Sequence, residues 1–348
     1  MRPRYPRGVT ISGLVLALAL MGWYAYSAQA AGDLAAARPV ASALALAATA
    51  FLLARQGSVM HPDLVPVAVV VTVSLVALSA PEIVRGSPTA GPLGYGNANA
   101  ALVTQGVAAA CLLAVRRGNR LWAAALALGL TAVALATRSL AGAGLSIAVL
   151  AMTAAVLHEG GGHRHVRRPT GSTARQRYAL AGVVLFLVGL GASVAVAAAY
   201  DPHDPTPPQA VTRSAELVSE RRLALWRDAE HLLGQHPATG VGPGSFATTS
   251  PTAIADPDAA WAHSQPLQAA AETGWVGGAL TVALLLWGFA ALAAGSGSPG
   301  RTAVGVAAWA ALALHASEDY VLHFPVVLLA GVAVLAAATG PSTADEEA

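Results

Sequence analysis

The chain has 348 residues and a formal net charge of +2; 55% of its residues are hydrophobic, 11% are charged, and the mean hydropathy is +0.57. A soluble domain carries about 25% charged residues, so this composition excludes an ordinary soluble fold and predicts an all-α, multi-pass protein of the cell membrane with no nucleic-acid partner. All twenty basic residues are Arg, and the single cysteine, Cys111, lies in an apolar run, which excludes an intrachain disulfide and any multi-cysteine metal site.

The chain opens on "MRPRYPRGVTISGLVLALALMGWYAYSAQAAG", a basic segment, an apolar run and then Ala28-Gln29-Ala30. A signal peptidase accepts that ending; an uncleaved first helix is the other reading, and in both residue 31 emerges outside. A spanning helix needs about 20 mainly apolar residues. Apolar runs near 9–30, 39–55, 64–80, 98–115, 121–137, 139–157, 178–199, 266–293, 303–319 and 321–339 predict ten spans. With both termini cytoplasmic, the inner loops hold thirteen arginines and the outer ones seven, which agrees with the positive-inside tendency. The organisation predicted is a bundle of about seven helices over 1–199, an extracytoplasmic loop over 200–265, further membrane helices over 266–339, and an acidic tail over 340–348.

The long loop carries most of the polar residue types. It begins "YDPHDPTPPQ", a proline-rich lead that cannot be helical. Beyond it, Val218, Leu225, Trp226, Ala229, Leu232 and Leu233 fall on one stripe of a predicted amphipathic helix that stops at Gly234 and Pro237. Its expected place is the outer membrane surface. "ATGVGPGSF" then supplies a turn. Asp201, Asp204, Asp256 and Asp258 have the oxygens for a divalent ion, but their proline and alanine neighbours favour turn formation. On the inner side, His158, His163 and His165 beside a glycine cluster suit either a metal or, more simply, a basic loop on anionic lipids.

Ionisable groups at membrane depth cost about 2.5 to 3.5 kcal/mol each and so mark candidate sites. Arg138 falls in a tight outer turn, where it either binds an anion or snorkels to lipid headgroups. Arg222 stands four before Trp226 and interrupts the apolar stripe, whereas Arg221 faces a more mixed, solvated side. His263 precedes a helix that Ser264 or Gln265 can cap, with Pro266 in its first turn. Gln268, Glu272 and Trp275 follow as a polar face, and Gly274 and Gly278 have the spacing of a helix-packing motif. Arginines fork onto phosphate oxygens, and a histidine accepts a proton near neutrality. An anionic substrate is the natural partner for this set.

The segment from Arg221 to Gly278 resembles the O-antigen ligase and polymerase family of bacterial membrane glycosyltransferases. Arg221 lies four before Leu225, and His263-Ser264, nine residues, then Gly274-Trp275-Val276-Gly277 match the family's histidine motif. "HPATGVGPGSF" is similar to its glycine-rich turn, "GYGNANA", with Asn97 and Asn99, to its Asn-x-Asn element, and "ATRSLAG" to its outer Ser-Arg turn. The likeness covers roughly residues 90 to 335. It implies a GT-C-like, inverting, metal-independent enzyme without cofactor. The enzyme would take glycan from a polyprenyl-diphosphate carrier among membrane lipids and pass it to a hydroxyl of a glycan, lipid or protein acceptor.

Under that likeness Arg138 and Arg222 neutralise the diphosphate and His263 activates the acceptor, making these three the catalytic candidates. Arg221, Trp226, Asn97, Asn99, Gln268 and Glu272 are the candidate substrate-binding residues. Glu272 orients His263 only if the loop folds back. The alternatives are a polysaccharide polymerase, a protein O-oligosaccharyltransferase, and a transporter or flippase of lipid-linked sugar.

Overall fold

The computed structural model describes residues 7–80, 91–116, 120–161, 171–201, 219–256 and 258–341. The readings made for His163 and His165, the proline-rich lead, Asp204, Val218 and the acidic tail lie outside the described residues. The protein is all-helical, with 83% helix and no strand among the described residues. In chain order the helices are α1 (Arg7–Ala30), α2 (Arg38–Met60), α3 (Leu64–Leu78), α4 (Gly96–Ala114), α5 (Arg120–Ala136), α6 (Leu140–Gly161), α7 (Gly171–Ala199), α8 (Glu220–Gln235), the short α9 (Phe246–Thr249) and α10 (Pro251–Ala255), α11 (Gln265–Ala294), α12 (Pro299–Glu318) and α13 (Pro325–Thr339). A 3-10 turn, Val321–His323, joins the last two.

Among the described residues, six helical stretches are long and apolar enough to cross a membrane, ending with Gly171–Ala199 and Gln265–Ala294. The shorter Leu64–Leu78, Leu121–Ala136 and Pro325–Thr339 are equally apolar. α12 is long enough but carries more polar groups, and it buries them in the bundle. Arg301, expected in an inner loop, is 1% exposed and donates to the carbonyls of Ala337 and Pro341. It therefore satisfies carbonyls at the end of α13, where a cation also complements the helix dipole.

α4 is the axis of the bundle, enclosed by α3, α5, α6, α12 and α13. Its alanine- and glycine-rich sequence explains this, because small residues let helices approach closely without a hydrophobic driving force. A Cβ at Gly142 of α6 would lie 2.3 Å from that of Ala100, and one at Gly106 would lie 2.7 Å from Val73. α8 forms where the apolar stripe predicts it, with its apolar face turned onto the rest of the chain. Leu223, Leu225, Trp226 and Ala229 are buried against Ala197 of α7, Phe246, and Leu267 and Ala271 of α11. Protein, rather than lipid, covers that face.

Gly274 and Gly278 do not form the packing face that their spacing suggests. Gly274 has φ 73° and ψ −175° and breaks α11. The break frees carbonyls that find donors elsewhere in the chain, as buried backbone groups require. Val241 N donates to Ala271 O at 3.0 Å, Gly242 N to Glu272 O at 2.9 Å, and Trp23 Nε1 of α1 to Thr273 O at 2.7 Å. The 237–245 turn lies directly on the break, with Trp275 N donating to Pro237 O at 3.0 Å. Two facing glycines permit this contact. A Cβ at Gly240 would stand 2.2 Å from the Glu272 carbonyl carbon, and one at Gly274 2.4 Å from Ala238 O.

Gly274→Ala should therefore destabilise the fold by at least the ~1–3 kcal/mol of a strained left-handed residue. The measurable outcome is a lowered melting temperature in detergent with new protease cleavage in the 237–245 turn. Gly129→Ala, in open space on α5, should leave both unchanged.

Candidate functional site

Four helix ends meet at one carboxylate. Asp319 terminates α12, is 1% exposed, and is held by groups from α4, α8 and the segment before α11. Its Oδ2 accepts from Tyr95 Oη at 2.7 Å, from Asn97 Nδ2, and from Arg222 Nη2 at 2.9 Å. Its Oδ1 faces His263 Nδ1 at 3.1 Å and accepts from the Tyr320 amide at 2.7 Å. Each element delivers its residue for a local reason. Tyr95 is the N-cap of α4 and Asn97 lies in its first turn. Arg222 projects from the buried side of α8, and the short turn after α12 brings back Tyr320.

Burial alone would raise the Asp319 carboxyl, but the His263 hydrogen bond, the Arg222 charge and the Tyr95 hydroxyl hold it well below the usual carboxylate range. Burial pushes the Tyr320 hydroxyl up to about 12, with the Asp319 charge adding to it, and acts on Tyr95 in the same direction. Both phenols therefore stay protonated, and Tyr95 serves as a donor.

His263 sits in the left-handed region at φ 49°, an uncommon conformation for a residue with a side chain. Its backbone is fastened on both sides: Trp226 Nε1 donates to the His263 carbonyl at 3.0 Å, and Ala262 N donates to Gln268 Oε1 at 2.8 Å. Gln268 Nε2 in turn donates to Glu272 Oε1 at 2.9 Å, and that carboxylate also accepts from Phe246 N at 3.4 Å. The Tyr320 ring packs edge-on to the imidazole at 4.8 Å. Nδ1 faces the Asp319 carboxylate, and Nε2 has no partner among the described residues. A base oriented by an acid is the arrangement that activates a hydroxyl nucleophile.

Of the residues proposed from sequence, His263, Arg222 and Asn97 come together here. Arg221 turns outward and pairs with Asp256 at 2.5 Å, its side chain 53% exposed. Asp256 also accepts from the Asp258 amide at 3.1 Å, which is the turn-forming role. Arg138, at φ 58°, is exposed in the α5–α6 turn and lies outside the Asp319 network. That turn stands at the same end of the bundle as Asn97, because Gly142 packs on Ala100. Asn99 is 2% exposed within α4 and is not bonded to Asp319.

Trp226, Gln268 and Glu272 are 1–5% exposed and occupied with holding backbone around His263. Trp275 points the other way, at 64% exposed. Asp319, rather than Glu272, orients the histidine. In the sequence Asp319 stands beside Glu318 in "HASEDYVLHFP", with nothing local to set it apart.

Comparison with known proteins returns no matching family model and no matching curated protein.

The depressed Asp319 carboxyl stabilises the fold at pH values above the unfolded carboxylate range of about 3.9, and that contribution is lost as the pH falls toward the lower folded value. Melting temperature should thus fall on acidification below about pH 4. Asp319→Asn should flatten that limb and cost about 3–5 kcal/mol at neutral pH, the scale for removing one member of a buried ion pair.

Proposed function

We propose that the protein is a membrane glycosyltransferase of the extracytoplasmic face, moving a glycan from a polyprenyl-diphosphate carrier to an acceptor hydroxyl. The observation that carries this reading is the Asp319–His263 pair with Nε2 open, standing beside Arg222. In this reading ten spans cross the membrane, with α12 and the shorter apolar helices among them. The loop of 200–265 lies outside.

The acceptor hydroxyl passes its proton to His263 Nε2 as its oxygen attacks the anomeric carbon. The bond from that carbon to the diphosphate oxygen breaks on the opposite face, and the electron pair leaves with the diphosphate. The configuration inverts. Asp319 stabilises the imidazolium that forms, as an acidic partner does in hydrolytic triads. A guanidinium has five N–H donors, so Arg222 can hold Asp319 with one edge and turn the rest to the developing charge of the leaving group, an electrostatic contribution that needs no reorganisation. Arg138 supplies a second cation from the neighbouring turn. The buried triad of Trp226, Gln268 and Glu272 acts by keeping His263 in its strained conformation.

A transporter of lipid-linked sugar is the second reading, and the break in α11 favours it, since interrupted helices mark transporter sites. Against it, the carbonyls freed by that break are bonded to Val241 N, Gly242 N and Trp23 Nε1 rather than left for a substrate.

In purified protein supplied with a carrier-linked glycan donor, His263→Ala should lower turnover by about 10²–10⁴-fold, the usual contribution of a general base. Arg222→Ala should lose about 10²–10³-fold, the scale of one transition-state donor, and Arg221→Ala should remain near wild type. Full turnover by a folded His263→Ala protein would refute the mechanism.

A further inference from the structure

An elongated cavity of about 430 Å³ lies between α1, α2, α11 and α13. On α1 its lining extends from Thr10 to Tyr24, roughly 21 Å of helix. The walls are apolar, with Leu20, Leu44, Phe51, Trp287 and Val332 among them. At the Tyr24 end the lining changes character, because Gln265 and His323 join it. Gln265 Oε1 and His323 Nδ1 are both buried without a hydrogen-bond partner, which is unfavourable for polar atoms at such a place. This end adjoins the site described above: Gln265 is two residues beyond His263, and Tyr320 touches both His263 at 4.8 Å and His323 at 5.8 Å.

The chemistry of that end selects among head groups. No arginine lines the cavity: Arg222 and Arg221 pair with Asp319 and Asp256, and Arg38, which precedes the lining residues Pro39 and Val40, is exposed. His323, in the turn outside both flanking helices, is lowered to about 4 by burial, against the opposing pull of the Tyr320 carbonyl and the Asp319 charge, so it is neutral at physiological pH. A diphosphate would find no cation among the lining residues. Its ionised oxygens also accept hydrogen bonds without donating any, whereas Gln265 Oε1 is an acceptor that needs a donor. A hydroxyl suits both groups.

We propose that this cavity seats the hydrocarbon chain of a lipid with an uncharged, hydroxyl-bearing head, and that Gln265 and His323 present that head to His263. The inference rests on the transferase reading in one respect, that the lipid so held is the acceptor. The diphosphate of the carrier then approaches from the Arg222 side, and the two lipids meet at the imidazole.

The test is photolabelling of the reconstituted protein with a diazirine-tagged hexadecyl glucoside, followed by peptide mapping. Saturable labelling of α1, α2 and α13 is expected. Unlabelled hexadecyl glucoside should displace the probe at least tenfold better than hexadecyl diphosphate. Leu44→Trp, which fills the cavity, and Gln265→Ala should each cut labelling about tenfold; Ala47→Leu is the milder filling variant should Leu44→Trp fail to fold. The proposal is overturned by labelling that does not saturate and falls equally on the outward residues Leu18 and Leu53, by preferential displacement with the diphosphate, or by labelling that the filling variants leave unchanged. Because labelling needs no turnover, the two readings separate. Glycan transfer without cavity labelling sinks the lipid site alone, and saturable labelling of a protein that transfers nothing sinks the transferase.

Discussion

A carboxylate that is 1% exposed must be surrounded by donors and opposite charge, because desolvation of an unpaired ion is far costlier than any single contact can offset. Asp319 meets that requirement with residues from four separate parts of the chain, and in doing so ties the ends of α4, α8, α11 and α12 together. The same bonds fix the functional geometry. The contact between His263 and Asp319 also orients the imidazole, and the guanidinium that balances the Asp319 charge is thereby held beside it. Structural necessity and proposed chemistry thus share one set of atoms.

Around that hub, the described segment 219–256 is built into the bundle rather than laid over it. α8 spends its apolar face on α7 and α11, and the 237–245 turn fills the break in α11. Two local strains result, a histidine at φ 49° and a broken helix at Gly274. Both are held by several bonds: Trp226 and Gln268 fasten the backbone around His263, while Val241, Gly242 and Trp23 occupy the carbonyls released by the break. Strain that is over-determined by its surroundings keeps a side chain in place without depending on a ligand. The first helix contributes directly through Trp23, and through Ser27, whose hydroxyl donates to Thr239 O.

Polar residues inside the bundle divide into those that close the fold and those that open onto chemistry. Arg301, Glu272 and Gln268 bond to backbone groups, and Gln268 also to Glu272, which accounts for their burial. Arg222 and His263 are different. Their side chains remain 20% and 12% exposed, and each has hydrogen-bonding capacity left over after Asp319 is satisfied. That residual capacity, more than burial itself, separates the proposed reacting groups from their supports.

Hydropathy by itself determined that the chain is helical and suited to a membrane, and helical spacing on α8 determined that Arg222 turns inward while Arg221 turns out. These features are local: a run of apolar residues or a 3.6-residue period needs no distant partner. His263 was legible for a similar reason, as a polar residue at the edge of a long apolar helix. Asp319 was not singled out, since its meaning lies in contacts to residues 56, 97 and 224 positions away, and nothing in "SEDY" distinguishes a hub from an ordinary helix end. The break at Gly274 was hidden for the opposite reason, because its spacing matches a common packing motif. Only the tertiary structure decided between a glycine that lets two helices touch and one that lets a turn enter a helix, for the sequence records where a Cβ is missing and the fold decides what occupies the space.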